Sequence, residues 1–171
     1  FYQRKEIKDA IAYFRLAVNP DDNEAFARVI NYPLRGIGDT TLMKVREAGR
    51  QAECSMMEVI CNPEAAKLDV SAATQKKLSD FATLIQGFSQ RVATTDAYEF
   101  ATMMMRDTGV MREAKADTSQ EGIARLENLE EMLAGIHEFV DQQLREGVTF
   151  VPMTDFLSEV SLLTDQDEKQ E

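Results

Sequence analysis

Residues 35–41, Arg-Gly-Ile-Gly-Asp-Thr-Thr, combine residue types that suit the binding of a phosphate group rather than its chemical conversion. Gly36 and Gly38 have no side chain and tolerate positive φ, so a phosphate can approach the main chain closely. A helix is expected to begin at about Asp39, with its free N–H groups and the positive end of its dipole at this loop. Such a geometry binds phosphate and reads no base edges.

The same residues are open to a second interpretation, in which glycine supplies only the shape of a helix end and a tight turn. Three features favour phosphate contact: two glycines rather than one, the adjacent Arg35, and the hydroxyls of Thr40 and Thr41 in the first turn of the next helix. Ile37, between the glycines, is expected to turn inward as an anchor. A second helix–glycine–helix turn, weaker in pattern, is expected at 107–110.

The sequence offers no catalytic residues and no metal site. It lacks a Gly-x-x-x-x-Gly-Lys-Ser/Thr loop for nucleotide phosphates, a Gly-x-Ser-x-Gly nucleophile turn and a His-Glu-x-x-His zinc motif. Its single histidine, His137, belongs to no Cys/His cluster. Because 29% of the residues are charged, Asp and Glu pairs on helices are expected to lie on solvated faces. We therefore expect no enzyme activity, metal or cofactor in this chain.

The net charge of −11 opposes a nucleic-acid interface spread over the whole surface. Residues 1–50 carry nine Lys and Arg against seven Asp and Glu, a net +2, while the remaining 121 residues carry −13. A nucleic-acid interface is therefore expected in the N-terminal third, with the acidic remainder turned away from it. The acidic face also leaves room for an alternative function, the docking of a protein partner.

Hydrophobic periodicity predicts an all-α fold of eight or nine helices in one irregular bundle. Seven helices are expected at 4–18, 39–52, 55–62, 71–94, 97–107, 119–145 and 153–163. One more is expected between the capping residues 21–22 and Tyr32, and a short one after the second glycine turn. No strand is predicted. The longest apolar runs are too short to span a membrane and no signal peptide opens the chain, which predicts a cytoplasmic protein.

Five stretches of the sequence, taken together and in order, resemble the UvrD/PcrA/Rep family of superfamily 1 DNA helicases. They are FYQRKEIKDA at 1–10, NPDD at 19–22, RVINYPLRGIGDTT at 28–41, RLENLEE at 125–131 and FL at 156–157, followed by acidic residues. The resemblance runs from the first residue to the last predicted helix. Met132 stands where the family commonly has Leu, a substitution that changes packing little.

The resemblance implies that the chain is the mobile 2B subdomain, an all-α insertion within the second RecA-like domain. Residues 1–20 would form the end of the 2A-side helix and the hinge, residues 21–165 the helical 2B subdomain, and residues 166–171 an acidic linker back toward 2A. Because the first residue is Phe rather than Met, we also expect the chain to be a piece of a longer protein.

The resemblance also implies roles for individual residues. The turn at Gly36-Ile37-Gly38 would be helix-hairpin-helix-like and grip the duplex ahead of the fork. The implied contacts to the DNA backbone are Arg35, Gly36, Ile37, Gly38 and Thr41, with auxiliary contacts from Thr108, Gly109 and Arg112. A further set is implied to orient the subdomain rather than to catalyse: Arg4, Glu6, Arg125, Glu127, Asn128 and Glu131.

The implied function is that of an accessory, regulatory DNA-binding subdomain of an ATP-dependent 3′–5′ DNA helicase in repair or replication. ATP and Mg²⁺ would bind to the parent protein outside this chain. The implied partners are double-stranded DNA at an unwinding junction, the remaining helicase domains of the same chain and repair proteins, in the bacterial cytoplasm at the nucleoid. The alternative is an all-α protein-interaction module with no DNA contact.

Overall fold

The computed structural model describes the backbone of residues 1–170 and the side chains of residues 1–166. Within that range the chain forms nine α-helices and no sheet, which confirms the predicted all-α class. None of these helices is long and apolar enough to cross a membrane. In chain order they are α1 (Lys5–Val18), α2 (Asn23–Val29), α3 (Asp39–Ala52), α4 (Met56–Cys61), α5 (Ala72–Ser89), α6 (Ala97–Asp107), α7 (Val110–Ala116), α8 (Gln120–Arg145) and α9 (Met153–Gln170).

Helix α1 lies at the centre of the bundle. It contacts α2, α5, α6, α8 and α9, and its buried side chains include Ile7, Tyr13, Phe14 and Leu16. A helix that buries most of its circumference packs inside a domain rather than on its surface. The hydrophobic core is continuous from α1 into the helices that follow, and the division predicted at residue 20 stays a prediction.

Short polar side chains begin five of the helices. Each accepts a hydrogen bond from a backbone N–H three residues further on, which satisfies a donor that the first turn of a helix leaves free. These caps are Asp22 for α2, Ser55 for α4, Ser71 for α5, Asp96 for α6 and Ser119 for α8. Helix α3 has no such cap, because Gly38 stands at its N-cap position.

Two of the predicted helix ends are wrong. Helix α5 ends at Ser89 rather than at residue 94, and residues 90–95 form turns rich in β-branched side chains, which disfavour helix. The last helix does not end at Leu163 but continues to Gln170. The acidic linker predicted at 166–171 stays a prediction, and its side chains from residue 167 onward lie outside the described part.

Changing two helical glycines to alanine is expected to give opposite results. At Gly49 in α3 an added Cβ would lie 2.9 Å from the backbone oxygen of Cys54. At Gly135 in α8, apart from the helix's own nearby backbone and the adjacent residues, no described heavy atom lies within 4 Å of the Cβ position. Alanine removes the entropic cost of a helical glycine, about 0.5–1 kcal/mol. We therefore expect Gly135→Ala to raise the free energy of unfolding in urea by about that amount, and Gly49→Ala to lower it. Equal stabilisation by both would contradict the close approach of Cys54 to α3.

Candidate nucleic-acid interface

The loop between α2 and α3 uses its two glycines differently. Gly36 adopts a φ of 75°, in the left-handed region, which other residues reach only with strain. Gly38 has a φ of −85°, so it contributes the absence of a side chain rather than an unusual φ. Apart from the adjacent residues, no described heavy atom lies within 4 Å of the position that its Cβ would take. Ile37, between them, is 1% exposed, which confirms the predicted inward anchor.

The side chain of Asn31 fixes the path of the loop. Its Oδ1 accepts hydrogen bonds from the backbone N–H of Arg35 at 2.8 Å and of Ile37 at 3.2 Å. Asn side chains close turns by bonding to nearby backbone groups in this way. These two N–H groups are therefore engaged within the protein and are not free for a ligand.

Arg35 turns its guanidinium group onto the end of α2. Its Nη1 lies 2.9 Å from the carbonyl oxygen of Val29, 3.1 Å from that of Ile30 and 3.0 Å from that of Tyr32, while its Nη2 lies 2.6 Å from the hydroxyl of Tyr13. Carbonyls at a helix end lack intrahelical donors, and a cation there also suits the helix dipole. A direct phosphate contact by this side chain would require these bonds to be exchanged, which favours a positioning role.

Aromatic rings support the guanidinium. The Cζ of Arg35 lies 5.1 Å from the ring centroid of Phe81 and 5.8 Å from that of Tyr13, and Phe81 meets Phe26 edge-on at 5.6 Å. Burial raises the pKa of Tyr13 to about 12. Its hydroxyl therefore stays protonated, and it donates a hydrogen bond to the carbonyl of Tyr32.

The first turn of α3 offers free backbone donors at the loop. The N–H groups of Gly38, Asp39, Thr40 and Thr41 donate to no protein atom in the part of the chain that the structure describes. Gly38, Asp39 and Thr40 are exposed, and Thr41 is half-buried. Unbonded N–H groups at the positive end of a helix dipole bind anionic oxygens. The structure thus brings together the predicted residues Gly36, Gly38 and Thr41 as a main-chain surface.

Lys77 of α5 is a cation at this loop that sequence reasoning missed. Its Nζ lies 3.5 Å from the carbonyl oxygen of Gly36, from which it is separated by 41 positions in the sequence. Leu78 and Phe81 on the same helix are buried in the core. The sequence held no signal that α5 packs against the glycine loop.

The second glycine turn packs beside the first. Gly109 has a φ of 87°, and a Cβ there would lie 3.7 Å from Cγ of Pro33. The predicted contact residue Thr108 is buried, and its hydroxyl donates to the carbonyl oxygen of Met104 at 2.5 Å. The side chain of Arg112 is exposed. A direct contact from this turn to a large ligand would therefore come from Arg112.

Three of the predicted orienting residues form one network between α8 and the start of α1. Arg4 donates to Oδ1 of Asn128, and the amide of Asn128 donates to Glu6. These residues are 124 and 122 positions apart in the sequence. The network therefore joins the family-like stretch at 1–10 to the one at 125–131, which fits a structural role for both.

The remaining orienting residues lie on α8. Arg125 pairs with Asp117 at 2.8 Å and more distantly with Glu113 at 3.7 Å, so it joins α8 to α7 and to the segment between them. Hydrogen bonds from Ser119, and then Arg125, hold the pKa of Asp117 below its usual value. The side chains of Glu127 and Glu131 are exposed. Among the described residues, no group of His, Cys, Asp and Glu is arranged to hold a metal ion.

Comparison with known proteins settles the family. The model of the UvrD-like helicase C-terminal domain matches residues 1–171. The chain belongs to this family. The UvrD-like domain is 37% identical over 172 residues to the ATP-dependent DNA helicase PcrA of Leuconostoc citreum, which covers 100% of the chain and 23% of that protein.

Two further relatives agree with the family. The UvrD-like domain is 32% identical to DNA helicase II of Escherichia coli strain K12 and 33% identical to the ATP-dependent DNA helicase PcrA of Bacillus subtilis strain 168. These matches cover 95% and 98% of the chain but only 22% of each relative. The resemblance inferred from the five sequence stretches is therefore confirmed, and the chain corresponds to less than a quarter of these proteins.

We expect Arg35→Ala to lower the free energy of unfolding of this UvrD-like domain by about 3 kcal/mol, because the end of α2 loses its charged donor. Arg35→Lys should restore only part of this, since an ammonium group cannot span the carbonyls and the Tyr13 hydroxyl as a planar fork does. Urea denaturation measures both. The matched control is Arg46→Ala, an exposed arginine on α3. If Arg35→Ala were as stable as this control, the capping role would be wrong.

The carboxylate of Asp117, which accepts hydrogen bonds from Ser119 and pairs with Arg125, should make a pH-dependent contribution to stability. Because the pKa of Asp117 is lowered in the folded state, its contribution is present above the ordinary aspartate pKa and is lost as the pH falls below it. Asp117→Asn keeps an acceptor for Ser119 but removes the charge. We expect it to lower the thermal midpoint at neutral pH, with the difference from wild type shrinking below about pH 4. A difference that grew in acid would contradict this assignment.

Proposed function

We propose that this chain is the 2B subdomain of an ATP-dependent 3′–5′ DNA helicase and that it grips duplex DNA through its phosphate backbone. Membership of the UvrD-like family supports the view that the chain is one part of a helicase, and the relatives are named as DNA helicases. ATP and Mg²⁺ binding and the motor activity are assigned to parts of the parent protein outside residues 1–171. The chain itself has an accessory and regulatory role in DNA repair or replication.

The observation that carries this proposal is the uncapped first turn of α3. Four consecutive N–H groups, from Gly38 to Thr41, have no protein acceptor within the described residues. Five other helices of the chain satisfy such donors with Asp or Ser caps, whereas α1 and α7 also lack a side-chain cap. At α3 a glycine occupies the cap position, which leaves the donors to an external anion.

In this proposal Ile37 and Arg35, which were also predicted to contact the DNA backbone, instead fix the conformation of the loop. Ile37 is buried beneath it, and Asn31 bonds the N–H groups of Arg35 and Ile37. Arg35 joins the loop to α2 through its guanidinium group. We therefore assign main-chain phosphate contacts to Gly36, Gly38 and Thr41, and a positioning role to Arg35 and Ile37.

The second turn and the network on α8 have secondary roles. Arg112 makes an auxiliary phosphate contact beside the first turn, to which Gly109 and Thr108 contribute the shape of the backbone. Arg4, Glu6, Arg125 and Asn128 keep α1, α7 and α8 in register. The partners are double-stranded DNA at an unwinding junction, the remaining helicase domains and repair proteins.

Gly38→Leu tests the loop. Apart from the adjacent residues, no heavy atom of the described residues lies within 4 Å of the Cβ position of Gly38, so the variant should fold, yet its side chain would stand where the phosphate approaches. We expect it to weaken binding of a labelled mixed-sequence duplex at least tenfold, about 1.4 kcal/mol, in fluorescence anisotropy. Wild-type affinity should fall between about 50 and 200 mM salt and depend little on sequence.

Gly135→Leu is the matched control, because it makes the same change at a helical glycine whose Cβ position is equally open. It should bind duplex as the wild type does. Wild-type affinity in a folded Gly38→Leu variant would contradict the phosphate-gripping loop. Absence of duplex binding by the wild-type chain at low salt would favour the protein-interaction alternative.

A further inference from the structure

We propose that Lys77 is a direct phosphate ligand of this interface, supplied by α5 to the glycine loop. The proposal rests on the proposed function and adds a residue that lies outside all five family-like stretches of the sequence. The ammonium group of this side chain lies at the loop and forms no ion pair among the described residues, so its charge can act on a bound phosphate.

Packing brings Lys77 to the loop. The buried ring of Phe81 lies against the Arg35 guanidinium, 5.1 Å from its Cζ. Lys77 precedes Phe81 by one helical turn, and side chains at i and i+4 lie on the same face of a helix. The contact that supports Arg35 therefore also places Lys77 beside Gly36, where its Nζ lies 3.5 Å from the carbonyl oxygen.

The ammonium group of Lys77 is not neutralised by the protein. Among the described side chains it forms no ion pair, and its one polar partner is the carbonyl of Gly36. Lys76, the next residue on α5, is different because it pairs with Asp80 at 3.1 Å. An ammonium group has three donors, so Lys77 retains donors for a ligand.

A phosphate at the loop needs such a charge. Arg35 is committed to the end of α2, and Asp39 adds a carboxylate to the turn that would receive the phosphate. Gly36 and Gly38 are two residues apart, about 7 Å at most, so a phosphate at the first turn of α3 lies close to the Lys77 ammonium. A charge-assisted bond to phosphate is shorter and stronger than the 3.5 Å contact to a neutral carbonyl that it would replace.

Matched glutamine variants of the two lysines test this assignment in the 171-residue chain, with a labelled duplex titrated over a salt series. Removing one phosphate contact lowers the slope of log K against log salt by about 0.9 and weakens binding about eightfold at 0.1 M salt. We expect this of Lys77→Gln, and no change of slope in Lys76→Gln. Lys77→Arg should keep the wild-type slope. Thermal unfolding of each variant separates loss of binding from loss of fold.

Failure of this proposal is distinguishable from failure of the proposed function. A wild-type slope in Lys77→Gln, while Gly38→Leu still impairs binding, would overturn the role of Lys77 and leave the loop intact. Equal loss of slope in Lys76→Gln and Lys77→Gln would also overturn it, since the effect would then be one of general charge. If Gly38→Leu binds normally, the interface itself is wrong.

Discussion

The guanidinium group of Arg35 ends one helix and shapes the loop that leads to the next. It lies within hydrogen-bond distance of three carbonyl oxygens at the end of α2 and of the Tyr13 hydroxyl on α1, and its face rests on Phe81 of α5. Three helices therefore meet at one charged group. Because a charge in a half-buried position is costly unless it is fully bonded, these contacts hold the loop in one conformation.

In the proposed function, this arrangement separates the groups that shape the loop from the groups that contact DNA. The side chains of Asn31, Arg35 and Ile37 fix the shape of the loop. The backbone N–H groups from Gly38 to Thr41 have no acceptor among the described residues and can bond to a ligand. Main-chain donors carry no information about bases, and they add no net charge. A chain with a net charge of −11 can therefore present a local anion-binding turn without a broad basic surface.

The local parts of this picture could be predicted from the sequence, and the tertiary parts could not. The start of α3 at Asp39 and the burial of Ile37 were predicted from the helical spacing of apolar residues and from the glycines that mark the turn. Both are confirmed. The direction of the Arg35 side chain depends on Tyr13 and Phe81, which approach it only after folding. A single sequence gives no measure of such contacts.

The same limit explains three other differences. Lys77 reaches Gly36 only because α5 packs beside the loop, and the pairing of Arg4 with Asn128 joins opposite ends of the chain. Thr108 has the residue type of a phosphate ligand, yet the structure buries it against its own helix. In the first two cases the packing of elements distant in sequence selected the role, whereas the hydroxyl of Thr108 is taken up by a carbonyl one turn earlier in α6.

In the proposed function the site consists of the first turn of α3 with the cations Lys77 and Arg112, so it neutralises few phosphates. This gives weak binding with a shallow salt dependence, since each phosphate contact contributes about 0.9 to the slope. Contacts to the backbone alone are also equivalent at successive base pairs. The loop can then release one phosphate and take the next at little cost in free energy, whereas base-specific contacts would favour particular positions. Weak, sequence-independent contact is thus what a subdomain requires if it is to hold a duplex that moves past it.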